Sequence, residues 1–131
     1  MFGLLKKYNS PIDVFLRKED ALVMFIAAVK GTTVMKMNCV EDGGNILIGD
    51  IIPYPLDETK NLNKGYGSKL MVALFEYARD NGIQSVTGNL SVVDLGHKDR
   101  LHHFYEKFGF KITEYDKPKD NYYGFIQKEI V

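Results

Sequence analysis

Gly65, Gly67 and Ser68 stand at the head of a helical pattern, and the first chemistry their types allow is main-chain chemistry. Glycines at a loop-to-helix junction let the backbone approach a ligand closely. The unpaired amides of a first helical turn, aided by the helix dipole, suit a phosphate or diphosphate group. Lys64 and Lys69 add positive charge beside the turn. Two better-known phosphate loops are excluded. A dinucleotide fingerprint needs a third glycine where Leu70 stands, and a Walker loop needs a Gly-Lys-Ser/Thr end. A tight loop before a helix, with no ligand, uses the same residues.

The titratable residues offer less. His102 and His103 are adjacent on a helix and point about 100° apart, whereas a metal pair on a helix wants i, i+4 spacing. They read as surface or partly buried side chains, His97 has no visible partner, and no metal site is expected. Cys39 is the only cysteine, which removes an intramolecular disulfide and every Cys-rich zinc pattern. It shares a strand face with Met35 and Met37, so it reads as a small core residue. A thiol nucleophile would need a base partner that the sequence does not supply.

The elements that must position these residues change period halfway along the chain. Ala21 to Val29, Thr33 to Val40 and Asn45 to Ile52 read as three hairpin-linked strands, with turns at Lys30-Gly31 and Asp42-Gly43-Gly44. Asp13 to Arg17 adds an edge strand, Phe2 to Tyr8 a helical turn, and Pro53 and Pro55 end the third strand. From Ser68 to Asn81 the apolar residues Leu70, Met71, Leu74, Phe75 and Ala78 fall on one helical face, with Gly82 as the left-handed stop. Gln84 to Ser91 is a strand, and Arg100 to Phe108 a second helix closed by Gly109. Phe110 to Tyr115 and Tyr122 to Ile130 finish the chain as strands around a Pro118 loop. The order implies an α/β (α+β) fold: a mixed, mostly antiparallel central sheet with helices on both faces.

A chain of 131 residues reads as one domain, 1–131, long enough to bury a core without disulfide or metal support. Seventeen basic and 17 acidic residues cancel, so the overall field gives no reason to expect nucleic acid or an anionic membrane as partner. The longest apolar run, Ala21 to Val29, is too short to span a bilayer, and no secretion-signal pattern opens the sequence, so a cytoplasmic protein is expected.

Leu62-Asn63-Lys64-Gly65-Tyr66-Gly67, followed by a long helix, and Phe104 to Phe110 (FYEKFGF) further on, resemble the GNAT superfamily of N-acetyltransferases. The glycine segment matches the family's pyrophosphate loop, Gln/Arg-x-x-Gly-x-Gly/Ala. FYEKFGF is similar to its later motif, whose tyrosine faces the acyl-CoA sulfur. The likeness runs from about Asn45 to the C-terminus. It implies transfer of an acetyl group from acetyl-CoA, as cosubstrate, to a primary amine of a small molecule or protein, in a ternary complex. A non-catalytic acyl-CoA-binding or interaction module on the same scaffold is the alternative, and either would be a monomer or homodimer.

The resemblance assigns the diphosphate to the amides of Asn63, Lys64, Gly65, Tyr66, Gly67 and Ser68, and the pantetheine arm to those near Ile51 and Ile52 at a splayed strand end. It makes Tyr105 the general acid and Asp50, near the end of the central strand, the base. Asp94 is a weaker candidate for base, and Asn89 a holder of water or the pantetheine chain. Tyr105 also belongs to the apolar stripe of its helix, where packing alone would account for it. Three departures stand out: Leu62 replaces Gln/Arg, the loop from Pro53 to Asn61 is longer than common, and only about 20 residues precede Ala21, so the family's two N-terminal helices are shortened or absent.

Overall fold

The computed structural model of the chain describes residues 12–54 and 65–130. The expected helical turn over Phe2 to Tyr8 lies outside them. Alternating apolar residues and tight turns build four strands in succession: β1 (Ile12–Glu19), β2 (Leu22–Val29), β3 (Thr32–Asp42) and β4 (Asn45–Pro53). Helix α1 (Tyr66–Asp80), strand β5 (Ser85–Ser91), a 3-10 helix (Val92–His97), helix α2 (Lys98–Lys107) and strands β6 (Lys111–Lys119) and β7 (Tyr122–Glu129) follow. The 3-10 helix, not expected from the sequence, is capped by Ser91, whose Oγ accepts from the Val93 N–H at 3.3 Å. Strand β6 runs further than expected and takes in Pro118, where its pairing with β7 loses register.

The seven strands form one sheet in the order β1-β2-β3-β4-β5-β7-β6, antiparallel except for β4 against β5. Two crossovers, β4-α1-β5 and β5-α2-β6, therefore move the same way across the sheet. Right-handed crossovers of that kind bring their helices to one face. Phe75 of α1 meets Phe108 beyond α2 at 6.1 Å between ring centroids and Phe110 at 5.9 Å. Among the described residues, both helices therefore cover the same face, and the helical turn expected over Phe2 to Tyr8 lies outside those residues.

Beneath the helices, alternate positions of the strands are buried: Val23, Phe25 and Ala27 on β2, Met35, Met37 and Cys39 on β3, Ile46 and Ile48 on β4. They pack on Leu70, Met71, Leu74, Phe75 and Ala78, the face of α1 that its apolar spacing predicts. Burial of this kind contributes roughly 1.5–3 kcal/mol per large side chain. On the open face, Met24, Ile26 and Leu47 are only half-buried, while Leu22 and Val40 are exposed. β1 passes to β2 through Asp20 and Ala21 alone, leaving no room between them for the two helices that the family resemblance would place there.

Candidate active site

Between β4 and β5 the sheet comes apart. Their parallel pairing runs only from Asn45 opposite Ser85 to Ile48 opposite Gly88, yet β4 continues to Pro53 and β5 to Ser91. A β-bulge explains the parting. Cys39 of β3 lies opposite Ile48, and Asn38 opposite Asp50, so Gly49 is an extra residue. A bulged strand bends, and here the bend takes the second half of β4 away from β5. Only glycine fits without movement, because a Cβ at Gly49 would stand 3.1 Å from the Asn38 carbonyl oxygen. The bulge also resets the alternation. Ile51, opposite Met37, returns to the helix-covered face, whereas Asp50 and Ile52, opposite Asn38 and Lys36, take the open one.

The gap opens a cleft of about 920 Å³, walled by Gly49, Asp50 and Ile51 of β4, by Gly65 to Ser68 at the start of α1, and by Asn89 and Ser91 of β5. Asp94 of the 3-10 helix, Arg100, Tyr105 and Lys107 of α2, and Tyr122 complete it. Most of the residues expected to act together therefore border one space. Ile52 does not line it, and Asn63 and Lys64 lie outside the described residues.

At the α1 end the main chain is presented. Gly65 caps the helix in the left-handed region, φ 81°, no side chain caps it, and no acidic residue occupies the first turn. The helical ladder begins with the Lys69 N–H donating to the Gly65 carbonyl oxygen at 3.0 Å, so the amides of Tyr66, Gly67 and Ser68 precede it. Gly67 matters for another reason: a Cβ there would touch the Phe104 ring at 3.4 Å, so α2 rests against this turn. Lys107 of α2 donates from Nζ to Ser68 Oγ at 3.3 Å and brings its charge to the helix start. Sequence position alone points to Lys64 and Lys69 for that charge, but Lys69 is exposed away from the cleft. The signal for Lys107 lies inside the FYEKFGF segment itself.

At the other end, side chains converge. Tyr105 is buried against Phe104 and Phe110, with ring centroids 5.5 and 5.6 Å away. Burial, and then the charge of Asp94, push its phenol up to about 12, so it keeps its proton at neutral pH and can donate it. Asp50 is exposed, and its Oδ1 accepts a hydrogen bond from Asn38 Nδ2 at 2.8 Å. Cys39 lies buried below it. Burial first, and then Asp50, raise the Cys39 thiol to about 12, which keeps it a neutral core residue. Asn89 is exposed on the cleft wall and Asp94 half-buried. Of the histidines, His97 borders the cleft, His103 is exposed, and the His102 ring stacks on Tyr123 with Nε2 2.9 Å from its hydroxyl.

Comparison with known proteins agrees with this geometry. Residues 62–110 match the acetyltransferase (GNAT) family. An uncharacterized protein, YocC of Bacillus subtilis (strain 168), is 46% identical over 67 residues, which are 51% of this chain and 36% of that protein. The chain thus spans about a third of that relative's length. Among solved structures, a GNAT-family acetyltransferase from Staphylococcus aureus Mu50 superposes with a TM-score of 0.67 at 13% identity, over 84% of this chain and 69% of the other. Ard1 from Thermoplasma volcanium gives 0.66 at 20% identity, over 82% and 70%. The PaiA N-acetyltransferase of Thermoplasma acidophilum, solved with coenzyme A, gives 0.66 at 14% identity, over 83% and 61%. Residues 62–110 are thus similar in sequence to the GNAT acetyltransferase family, and the chain shares the fold of solved GNAT acetyltransferases.

Proposed function

We propose that this chain is an acetyl-CoA-dependent N-acetyltransferase acting on a primary amine. The observation that carries the proposal is the parting of β4 from β5 directly beside an uncapped helix start, with Tyr105 on the wall of the same cleft. That a structural relative was solved with coenzyme A supports the choice of cosubstrate.

Acetyl-CoA supplies the acetyl group as a thioester. The amides of Tyr66, Gly67 and Ser68, with Lys107 and the helix dipole, bind its diphosphate. Main-chain groups of β4 near Ile51, freed from pairing with β5, orient the pantetheine arm and turn the carbonyl carbon toward the open face. The acceptor approaches from that face, where Asp50 takes a proton from the amine as its nitrogen bonds to the carbonyl carbon. As the carbon–sulfur bond breaks, the Tyr105 hydroxyl gives its proton to the sulfur. The two proton transfers balance, and the products are an N-acetyl amine and a thiol.

The test couples binding to turnover. Acetyl-CoA is expected to raise the melting temperature of the full chain, and an amine and peptide screen with thiol detection is expected to find a substrate. No thermal shift at saturating acetyl-CoA sinks the proposal. A shift without any turnover across the screen favours a non-catalytic acyl-CoA-binding module.

A further inference from the structure

The two edges of the sheet are built by opposite rules. Strand β6, at one edge, carries Lys111, Glu114, Asp116, Lys117 and Lys119, holds Pro118, and breaks register with β7 between Glu114 and Lys119. Charge, proline and irregular pairing are the usual protections of an edge against a further strand. At the other edge of the sheet among the described residues, β1 pairs with β2 through eight consecutive positions with no shift. Its centre is apolar on both faces: Phe15, 54% exposed, projects on the open face, and Leu16, 48% exposed, on the helix side. Val14 and Leu16 also wall a groove of about 420 Å³ with Phe25, Ala73 and Tyr77, whose far side carries the polar residues Glu76, Asp80 and Asn81. A regular, apolar-centred edge beside a groove is a surface made for pairing.

We propose that β1 pairs antiparallel, across a two-fold axis, with β1 of a second copy of this chain. The occupant is argued from self-complementarity. A two-fold axis normal to the sheet keeps each face continuous, so residues pair only where their numbers share parity. Centred on Phe15, the pairing sets Phe15 against Phe15 of the second copy, Val14 against its Leu16, and Asp13 against its Arg17. These pairs are aromatic, aliphatic or oppositely charged, each occurring twice except the central one, and beyond them Ile12 lies against the aliphatic stem and charge of Lys18. Shifted to centre on Leu16, Asp13 meets Glu19, and shifted to Val14, Asp13 meets Phe15. Of these three centres, only Phe15 sets opposite charges against each other. Each Leu16 also reaches the rim of the other copy's groove, extending the apolar contact beside α1.

Light scattering and sedimentation of the full chain test this at its highest soluble concentration, where twice the chain mass is expected. Asp13→Arg and Arg17→Asp each place like charges opposite one another twice, and each is expected to raise the dimer dissociation constant about tenfold or more. The decisive step mixes the two variants. The arginine introduced at position 13 of one then faces the aspartate introduced at position 17 of the other, so a heterodimer forms where neither variant self-associates. The double variant, D13R with R17D, is likewise expected to recover the homodimer. Circular dichroism of each variant checks that the fold is kept. A wild type at single-chain mass overturns the proposal, as does a dimer insensitive to both single reversals, or a mixture that associates no better than its parts.

Discussion

The two ends of the cleft use different parts of the chain. At the start of α1, the amides of Tyr66, Gly67 and Ser68 precede the helical ladder at the wall of the space, and the residues are chosen for what they lack: a Cβ at Gly65 and Gly67, a capping side chain, a first-turn acid. Where β4 meets α2, single side-chain atoms define the site: the Tyr105 hydroxyl and the Asp50 carboxylate held by Asn38. A site of main-chain groups tolerates changes of residue type so long as the turn survives. A site of side-chain atoms fails with one substitution. Binding and turnover should therefore separate cleanly by mutation.

The largest effect is expected at the side-chain end. Tyr105→Phe keeps the ring and its contacts with Phe104 and Phe110 and removes only the proton donor. General acid catalysis is worth about 10²–10⁴-fold, so kcat should fall at least a hundredfold while the acetyl-CoA thermal shift is unchanged. A variant that turns over as fast as wild type would return Tyr105 to the role its apolar stripe also allows, that of a packing residue.

Next in size is a change at the main-chain end. Gly67→Val adds bulk where a Cβ already meets the Phe104 ring at 3.4 Å, so the turn and α2 must separate. Overpacking of that kind costs about 1–3 kcal/mol. The expected result mirrors the first: acetyl-CoA binds roughly tenfold more weakly or worse, read by calorimetry, while kcat at saturation changes little. If kcat fell with affinity intact, the division between the two ends would be wrong.

A smaller loss is expected from Asn38→Ala, which removes the donor to Asp50 without touching the cleft amides. A net hydrogen bond to a charged group is worth about 1.5–3 kcal/mol, and part of it will be recovered by water. A several-fold fall in kcat is expected, with KM for acetyl-CoA unchanged. In an Asp50→Asn background the same substitution should cost almost nothing, because the two residues act as one unit. Additive losses would show that Asn38 works elsewhere.

Much of this arrangement is legible in the sequence because its signals are local. The period of α1, the glycine turn before it and the stops at Gly82 and Gly109 are of that kind, and both stop glycines do adopt positive φ, 68° and 88°. The three-strand meander follows from alternation and turn residues in the same way. What escapes depends on partners distant in the chain. Simple alternation from Ile48 sets Asp50 on the helix-covered face, and only the cross-strand register with β3 reveals Gly49 as the extra residue that turns Asp50 outward. The placement of both helices on one face follows from strand order, which no local pattern encodes. Lys107 reaches the start of α1 for a similar reason: the close passage of α2 over Gly67 is a tertiary fact.

The last and smallest expected effect is the lack of one. A phenol can donate only while it holds its proton, and the protonated fraction declines as pH passes the group's pKa. For a tyrosine in water that decline would centre on 10.0, but burial and Asp94 hold the Tyr105 phenol up to about 12. Loss of the acid should therefore contribute nothing to the pH profile of kcat through pH 10, and an alkaline limb from this group should begin only above that. The chemistry end of the cleft would then be insensitive to alkali for a structural reason, the closure of Phe104 and Phe110 around the ring. A fall in kcat centred near 10 that disappears in Tyr105→Phe would mean that the hydroxyl meets bulk water during turnover. In that case the side-chain end would be as open as the main-chain end, and the contrast between them would rest on atoms alone, not on solvation.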